Sequence, residues 1–115
     1  MVDTTVLIDD SDIDLFIQRR FLEVYQFSKK LISYKSAEEA LAWLHAINGE
    51  MPPDVIFLDL NMPNVDGFAF LEGFKNLPPK VRDKSRIVVL TSSNSQKDRD
   101  MAFSYKNVIQ FVTKP

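Results

Sequence analysis

Three aspartates, a threonine and a lysine carry the chemistry of this sequence: Asp9, Asp10, Asp59, Thr91 and Lys114. Each stands at the end of an apolar run that reads as a buried strand. Val6-Leu7-Ile8 leads into Asp9-Asp10, Val55-Ile56-Phe57-Leu58 into Asp59, Ile87-Val88-Val89-Leu90 into Thr91, and Val108 to Thr113 into Lys114. Open parallel α/β sheets bind ligands just beyond the carboxyl ends of their strands, so these side chains are expected to meet on one edge. Two carboxylates about 5 Å apart repel by roughly 3 kcal/mol at an effective dielectric near 20. Three such pairs would cost on the order of 10 kcal/mol, comparable to the whole stability of a small domain. Lys114 offsets part of that. A hard divalent cation held by carboxylates, a carbonyl and water offsets the rest, and Mg²⁺ suits that ligand set. An aspartate carboxylate can also attack phosphorus to form an acyl phosphate, with catalysis supplied by positioning and charge neutralisation. Asp59 is the expected nucleophile, with Thr91 and Lys114 on phosphoryl oxygens. Taken singly, each residue has a plainer reading: a helix-start acid, a strand-end turn, a solvated lysine. Their joint placement favours the site.

The elements that must position these residues alternate in type. Thr5–Ile8 reads as a first strand, apolar throughout, as expected when both faces are covered. Ile13, Phe16, Ile17, Arg20, Phe21 and Val24 step by three and four along one helix face, behind an S-x-x-D start at Ser11 and Asp14. Lys30–Tyr34 is a less apolar, edge-like strand. Ser36 with Glu39 starts a second helix, with Ala37, Ala40, Leu41, Leu44 and Ile47 as its inner face and Asn48-Gly49 as its end. Val55–Asp59 is the most apolar strand and the expected centre. Phe70, Leu71, Phe74 and Leu77 mark a third helix, interrupted by Gly73. Ile87–Leu90, a helix at Gln96–Ser104 begun by Ser95 and Asp98, and Val108–Thr113 complete the series. The Pro52-Pro53 and Pro78-Pro79 pairs read as loops. Alternating strands and helices with short connections imply right-handed crossovers and an open, doubly wound, parallel α/β sheet. After Thr113 no helix follows to cover the face shared with the first helix, and trimming is the expected reason.

A chain of 115 residues without cysteine is expected to be one domain, residues 1–115, with its own core and no disulfide or thiolate metal site. With a net charge of −2 and both signs mixed, it has no basic footprint for nucleic acid. Its apolar runs are too short to cross a bilayer, and a cytoplasmic location is expected. His45, the lone histidine, falls off the apolar face of its helix and is expected in solvent.

The string Asp59-Leu60-Asn61-Met62-Pro63-Asn64-Val65-Asp66-Gly67 resembles the D-x-x-M-P-x-x-D-G signature of response-regulator receiver domains. Asp9-Asp10 resembles their acidic pair, Thr91 their hydroxyl residue and Lys114-Pro115 their closing K-P dipeptide, so the resemblance spans essentially the whole chain. It implies a flavodoxin-like fold, a five-stranded sheet in the order 2-1-3-4-5, with the final helix absent here. It implies Mg²⁺-dependent phosphotransfer to Asp59 from a sensor histidine kinase or phosphotransfer protein, self-catalysed phosphorylation and dephosphorylation, and a downstream effector protein. By the same resemblance Asp10 and Asp59 ligate Mg²⁺ directly, Asn61 through its backbone carbonyl and Asp9 through water. Lys114-Pro115 would be cis, and Met62, Pro63 and Gly67 would shape the turn and helix start, Gly67 for backbone freedom. Phe111 matches the switch aromatic, coupled to Thr91, and Asn61 and Ser93 match positions that modulate dephosphorylation. The face made by the Gln96–Ser104 helix and the last strand is the expected partner or homodimer surface.

Other classes stay open at this point. A degenerate receiver acting only as an interaction module would lack site residues that are present. A flavodoxin-like cofactor binder would want a glycine where the first loop has Asp9-Asp10-Ser11-Asp12. A haloacid-dehalogenase-type phosphatase would want an acid where Asn61 stands.

Overall fold

The computed structural model describes residues 1–47, 51–62, 66–92 and 94–114. Five strands, β1 (Val2–Ile8), β2 (Ser28–Tyr34), β3 (Val55–Asp59), β4 (Arg86–Thr91) and β5 (Val108–Thr113), alternate with α1 (Asp12–Val24), α2 (Ala37–Ala46), α3 (Gly67–Phe74), α4 (Pro79–Lys84) and α5 (Gln96–Phe103). All four pairings are parallel. The sheet order is β2-β1-β3-β4-β5, as the resemblance implied. Register places Ile8 beside Leu58 and Asp59 beside Leu90, so the strands that carry Asp9, Asp59 and Thr91 end at one edge.

Strand alternation sorts the core into two layers. Val6, Ile8, Ile56, Leu58, Ile87, Val89 and Phe111 point one way, onto Ala40 and Leu44 of α2, Phe70 and Phe74 of α3, and Ala102 of α5. Leu7 points the other way, with Leu15 and Leu22 of α1 and half-buried Phe27, Leu31 and Phe57. Gly73 has a packing reason. A Cβ there would lie 2.7 Å from Leu41 Cδ1, so the missing side chain lets α2 and α3 close on each other.

The first helix leaves its stripe uncovered, on the face that the sequence shows no following helix to cover. Its apolar stripe is real, but it faces outward: Ile13, Phe16, Ile17, Phe21 and Val24 are exposed, Phe16 by 66%, while Leu15 and Leu22 are buried. α1 packs on β1 and β2, and Val112 of β5 is exposed as well. The Pro78-Pro79 pair opens a helix instead of a loop. Pro79 sits in its first turn, where proline's missing N–H costs nothing and its fixed φ suits the helix.

Caps at Ser11, Ser36 and Ser95 form as read, each side chain accepting from the amide three residues on. α3 is capped by Asp66, which accepts from the Ala69 amide at 3.0 Å. Asp54 binds the edge opposite the site: its carboxylate accepts from the Asp3 and Thr4 amides, both at 3.0 Å, and its carbonyl from Arg86. Burial of that carboxylate is outweighed by those hydrogen bonds, the Thr4 amide foremost, and its pKa lies below the usual range. The Asn48-Gly49 helix end, Pro63 and the Lys114-Pro115 bond fall outside the described residues. His45 is exposed, as expected.

Candidate functional site

The C-terminal ends of β1, β3, β4 and β5 bring together Asp9, Asp10, Asp59, Thr91 and Lys114. Carboxylate oxygens of Asp9, Asp10 and Asp59 all lie within 4.8 Å of one another. Asp9 and Asp59 are buried, whereas Asp10 is the most open of the three. Asp9 is already engaged. Its Oδ1 accepts from the Ser11 amide at 3.0 Å, and its Oδ2 from Gln18 Nε2 at 3.1 Å and Lys114 Nζ at 2.8 Å. Those three bonds suit an outer role for Asp9 and leave Asp10 and Asp59 as the carboxylates best able to touch an ion. The donor set is hard oxygen, which fits a divalent cation of the Mg²⁺ kind.

Asp59 accepts the Asn61 amide at 3.1 Å on Oδ1. Burial pushes its carboxyl above the usual carboxylate range, the Asn61 amide pulls it back, and Asp9 pushes it up again. A carboxylate held this way is short of positive charge. Lys114 supplies some: Nζ lies 3.7 Å from Asp59 Oδ1 and 2.8 Å from both Asp9 and Asp14. Burial alone would lower the ammonium's pKa; hydrogen bonds to Asp14 and Asp9 reverse that and raise it. The Lys114 amide donates to the Thr91 carbonyl at 2.6 Å, which fixes β5 against β4 at the site.

Thr91 is buried, and its hydroxyl donates to Asn61 Oδ1, which also accepts from Ser92 Oγ at 3.3 Å. Asn61 thus enters the site through its amide and its side chain. Phe111 lies in the core under the Arg99 guanidinium, 5.7 Å from the ring centroid. Ser93 falls outside the described residues. Gly67 is needed for space rather than for unusual backbone angles: a Cβ there would stand 2.7 Å from Leu60 Cα and 3.0 Å from the Asp59 carbonyl. The glycine lets the start of α3 sit directly against the strand end that carries Asp59.

Two residues escaped the sequence reading, Asp14 and Gln18. Asp14 was read only as part of the helix start. The four-residue spacing of Asp14 and Gln18 within α1, just after Asp9-Asp10, was the available signal, because residues four apart stack on one helix face.

The sequence matches the response regulator receiver domain family over residues 5–115. It is 32% identical over 114 residues to the sensor histidine kinase CheAY of Helicobacter pylori, covering 94% of this chain and 13% of that protein. It is 31% identical to the response regulator Rcp1 of Synechocystis, covering 95% of this chain and 74% of that one. A crystal structure of a response regulator receiver protein from Dyadobacter fermentans superposes with a TM-score of 0.89 at 31% identity, over 99% of this chain and 88% of that one. The Mn²⁺-bound form of response regulator Rcp1 superposes with a TM-score of 0.77 at 28% identity, over 98% of this chain and 81% of that one. Fold, strand-end site and family match agree: the chain belongs to the response-regulator receiver domains of two-component signalling.

Proposed function

We propose that Asp59 accepts a phosphoryl group from the phosphohistidine of a sensor histidine kinase or phosphotransfer protein, in a Mg²⁺-dependent reaction that switches a surface read by a downstream effector. The observation that carries this reading is the buried Asp59 carboxylate with the Lys114 ammonium 3.7 Å away, inside a three-carboxylate cluster. In the transfer, an Asp59 oxygen attacks phosphorus and the P–N bond breaks, its electron pair staying on the departing imidazole. In the reverse of signalling, water attacks phosphorus, the P–O bond to Asp59 breaks, and inorganic phosphate leaves with the carboxylate restored. Bound by Asp10, Asp59 and the Asn61 carbonyl, with Asp9 behind, Mg²⁺ would neutralise charge on the phosphoryl oxygens. That Rcp1 has a Mn²⁺-bound form supports a divalent ion for this chain.

Lys114 donates to a phosphoryl oxygen, and Thr91 exchanges Asn61 for another. Because Phe111 already lies inward beneath Arg99, the switch we propose rests chiefly on that Thr91 movement. Exposed Met101, Phe103 and Ile109 support the α5–β5 face as the contact for an effector or a second copy. Among the described residues no helix is long and apolar enough to cross a membrane. We place the exchange in the cytoplasm and assign no nucleic-acid contact.

Acetyl phosphate with Mg²⁺ tests the assignment. Intact mass should show one alkali-labile phosphoryl adduct on the wild type and none on Asp59→Asn or after chelation. A wild type that stays unmodified, or an adduct that survives Asp59→Asn, would overturn it.

A further inference from the structure

Among the described residues, Asp14 is the one carboxylate that bonds the site lysine without belonging to the acidic trio. Its Oδ2 lies 2.8 Å from Lys114 Nζ, the same distance as Asp9 Oδ2. An ammonium has three donors. Two are taken by Asp9 and Asp14, and Asp59 Oδ1 stands at 3.7 Å, beyond hydrogen-bond range. A phosphoryl group on Asp59 would carry its oxygens beyond the carboxylate, toward the N–H that Asp9 and Asp14 leave over. We propose that Asp14 is a positioning residue: with Asp9 it holds the Lys114 ammonium so that its remaining N–H serves the phosphoryl group on Asp59.

Lysine carries its charge on a flexible four-carbon stem, so a single anchor leaves the ammonium free to swing about it. A second anchor removes that freedom before the phosphoryl group arrives, which is how preorganisation favours a reaction. Asp14 is suited to the task because it is itself fixed. It stands in the first turn of α1, and its amide donates to the Ser11 cap at 3.2 Å. Asp9 is fixed by Ser11 and Gln18. The β1–α1 segment therefore grips a lysine that lies 100 residues away from Asp14 in sequence.

The proposal rests on the phosphoacceptor reading, and its test separates the two. Loss of one hydrogen bond to a charged group corresponds to about a tenfold effect. Asp14→Ala should slow phosphorylation by acetyl phosphate and weaken beryllofluoride binding by about tenfold, with Asp14→Glu recovering part of both. Asp14→Asn, which keeps the shape, serves if the alanine variant fails to fold. In a Lys114→Ala background the Asp14 substitution should add nothing. Nitrogen-15 spectra of the metal-free protein should show a slowly exchanging Lys114 ammonium in the wild type and lose it in the variant. Wild-type rates with an intact ammonium signal in the variant would overturn the proposal, as would full additivity with Lys114→Ala. Absence of any adduct on the wild type would instead remove the phosphoacceptor reading, and this proposal with it, even where the ammonium signal shows the grip.

Discussion

At the scale of single residues, the clearest cost in the fold is Thr5. It is fully buried in β1, and its hydroxyl has no hydrogen-bond partner among the described residues. A buried hydroxyl without a partner costs about 1–3 kcal/mol. Thr5→Val keeps the shape and removes the hydroxyl, so it should raise stability by about 1 kcal/mol, and Tm by a few degrees on calorimetry. Asp59 carries a cost of a different kind. Its pKa is raised in the folded protein, chiefly by burial, so folding favours the protonated form. The stability tied to that proton is full below the unfolded value near 3.8 and is lost as pH rises through the higher folded value. At neutral pH without metal, Asp59→Asn should therefore melt higher than wild type. The difference should shrink in acid, and Mg²⁺ should stabilise the wild type more than the variant. Melting curves at several pH values, with chelator and with Mg²⁺, check the sign. The five strand-end residues were legible because each closes an apolar run. Asp14 was hidden because one residue does two jobs, and the helix-start role explained it completely.

At the scale of elements, Gly67 sets how closely α3 approaches β3. A methyl group there would meet Leu60 backbone at 2.7 Å, and overpacking of this kind costs about 1–3 kcal/mol. Gly67→Ala should destabilise by about 2 kcal/mol and weaken Mg²⁺ binding through displacement of the Asp59 segment, measured by urea unfolding and metal titration. Sequence pattern located the five strands by their apolar runs, α1 and α2 by period with a cap, α3 by period and α5 by its cap. It missed α4, whose six residues are too few to show a period. It found the stripe on α1 without showing what the stripe would meet. Periodicity identifies an apolar face; the sheet decides whether that face or its neighbour is buried. Here Leu15 and Leu22, off the main stripe, reach the core.

At the scale of the whole molecule, one face of the sheet is well covered and the other is not. Ile13, Phe16, Ile17, Phe21 and Val24 of α1 and Tyr25 just after it are all exposed, with the Phe21 and Tyr25 rings 4.7 Å apart. An apolar patch of this extent marks a contact surface or an aggregation risk. The 115-residue chain should bind a hydrophobic dye in its native state, and Phe16→Ser with Phe21→Ser should reduce that fluorescence at unchanged helix content. The contact between Lys114 and Asp9 joins residues 105 apart in sequence. Such distant pairings close late, after the loop entropy between them has been overcome by nearer contacts. The acidic pocket can gather as soon as β1 and β3 meet, but its cation of built-in charge arrives only with the last strand. A nascent or half-folded chain thus holds acids without their lysine, and completion of β5 becomes a checkpoint on the site.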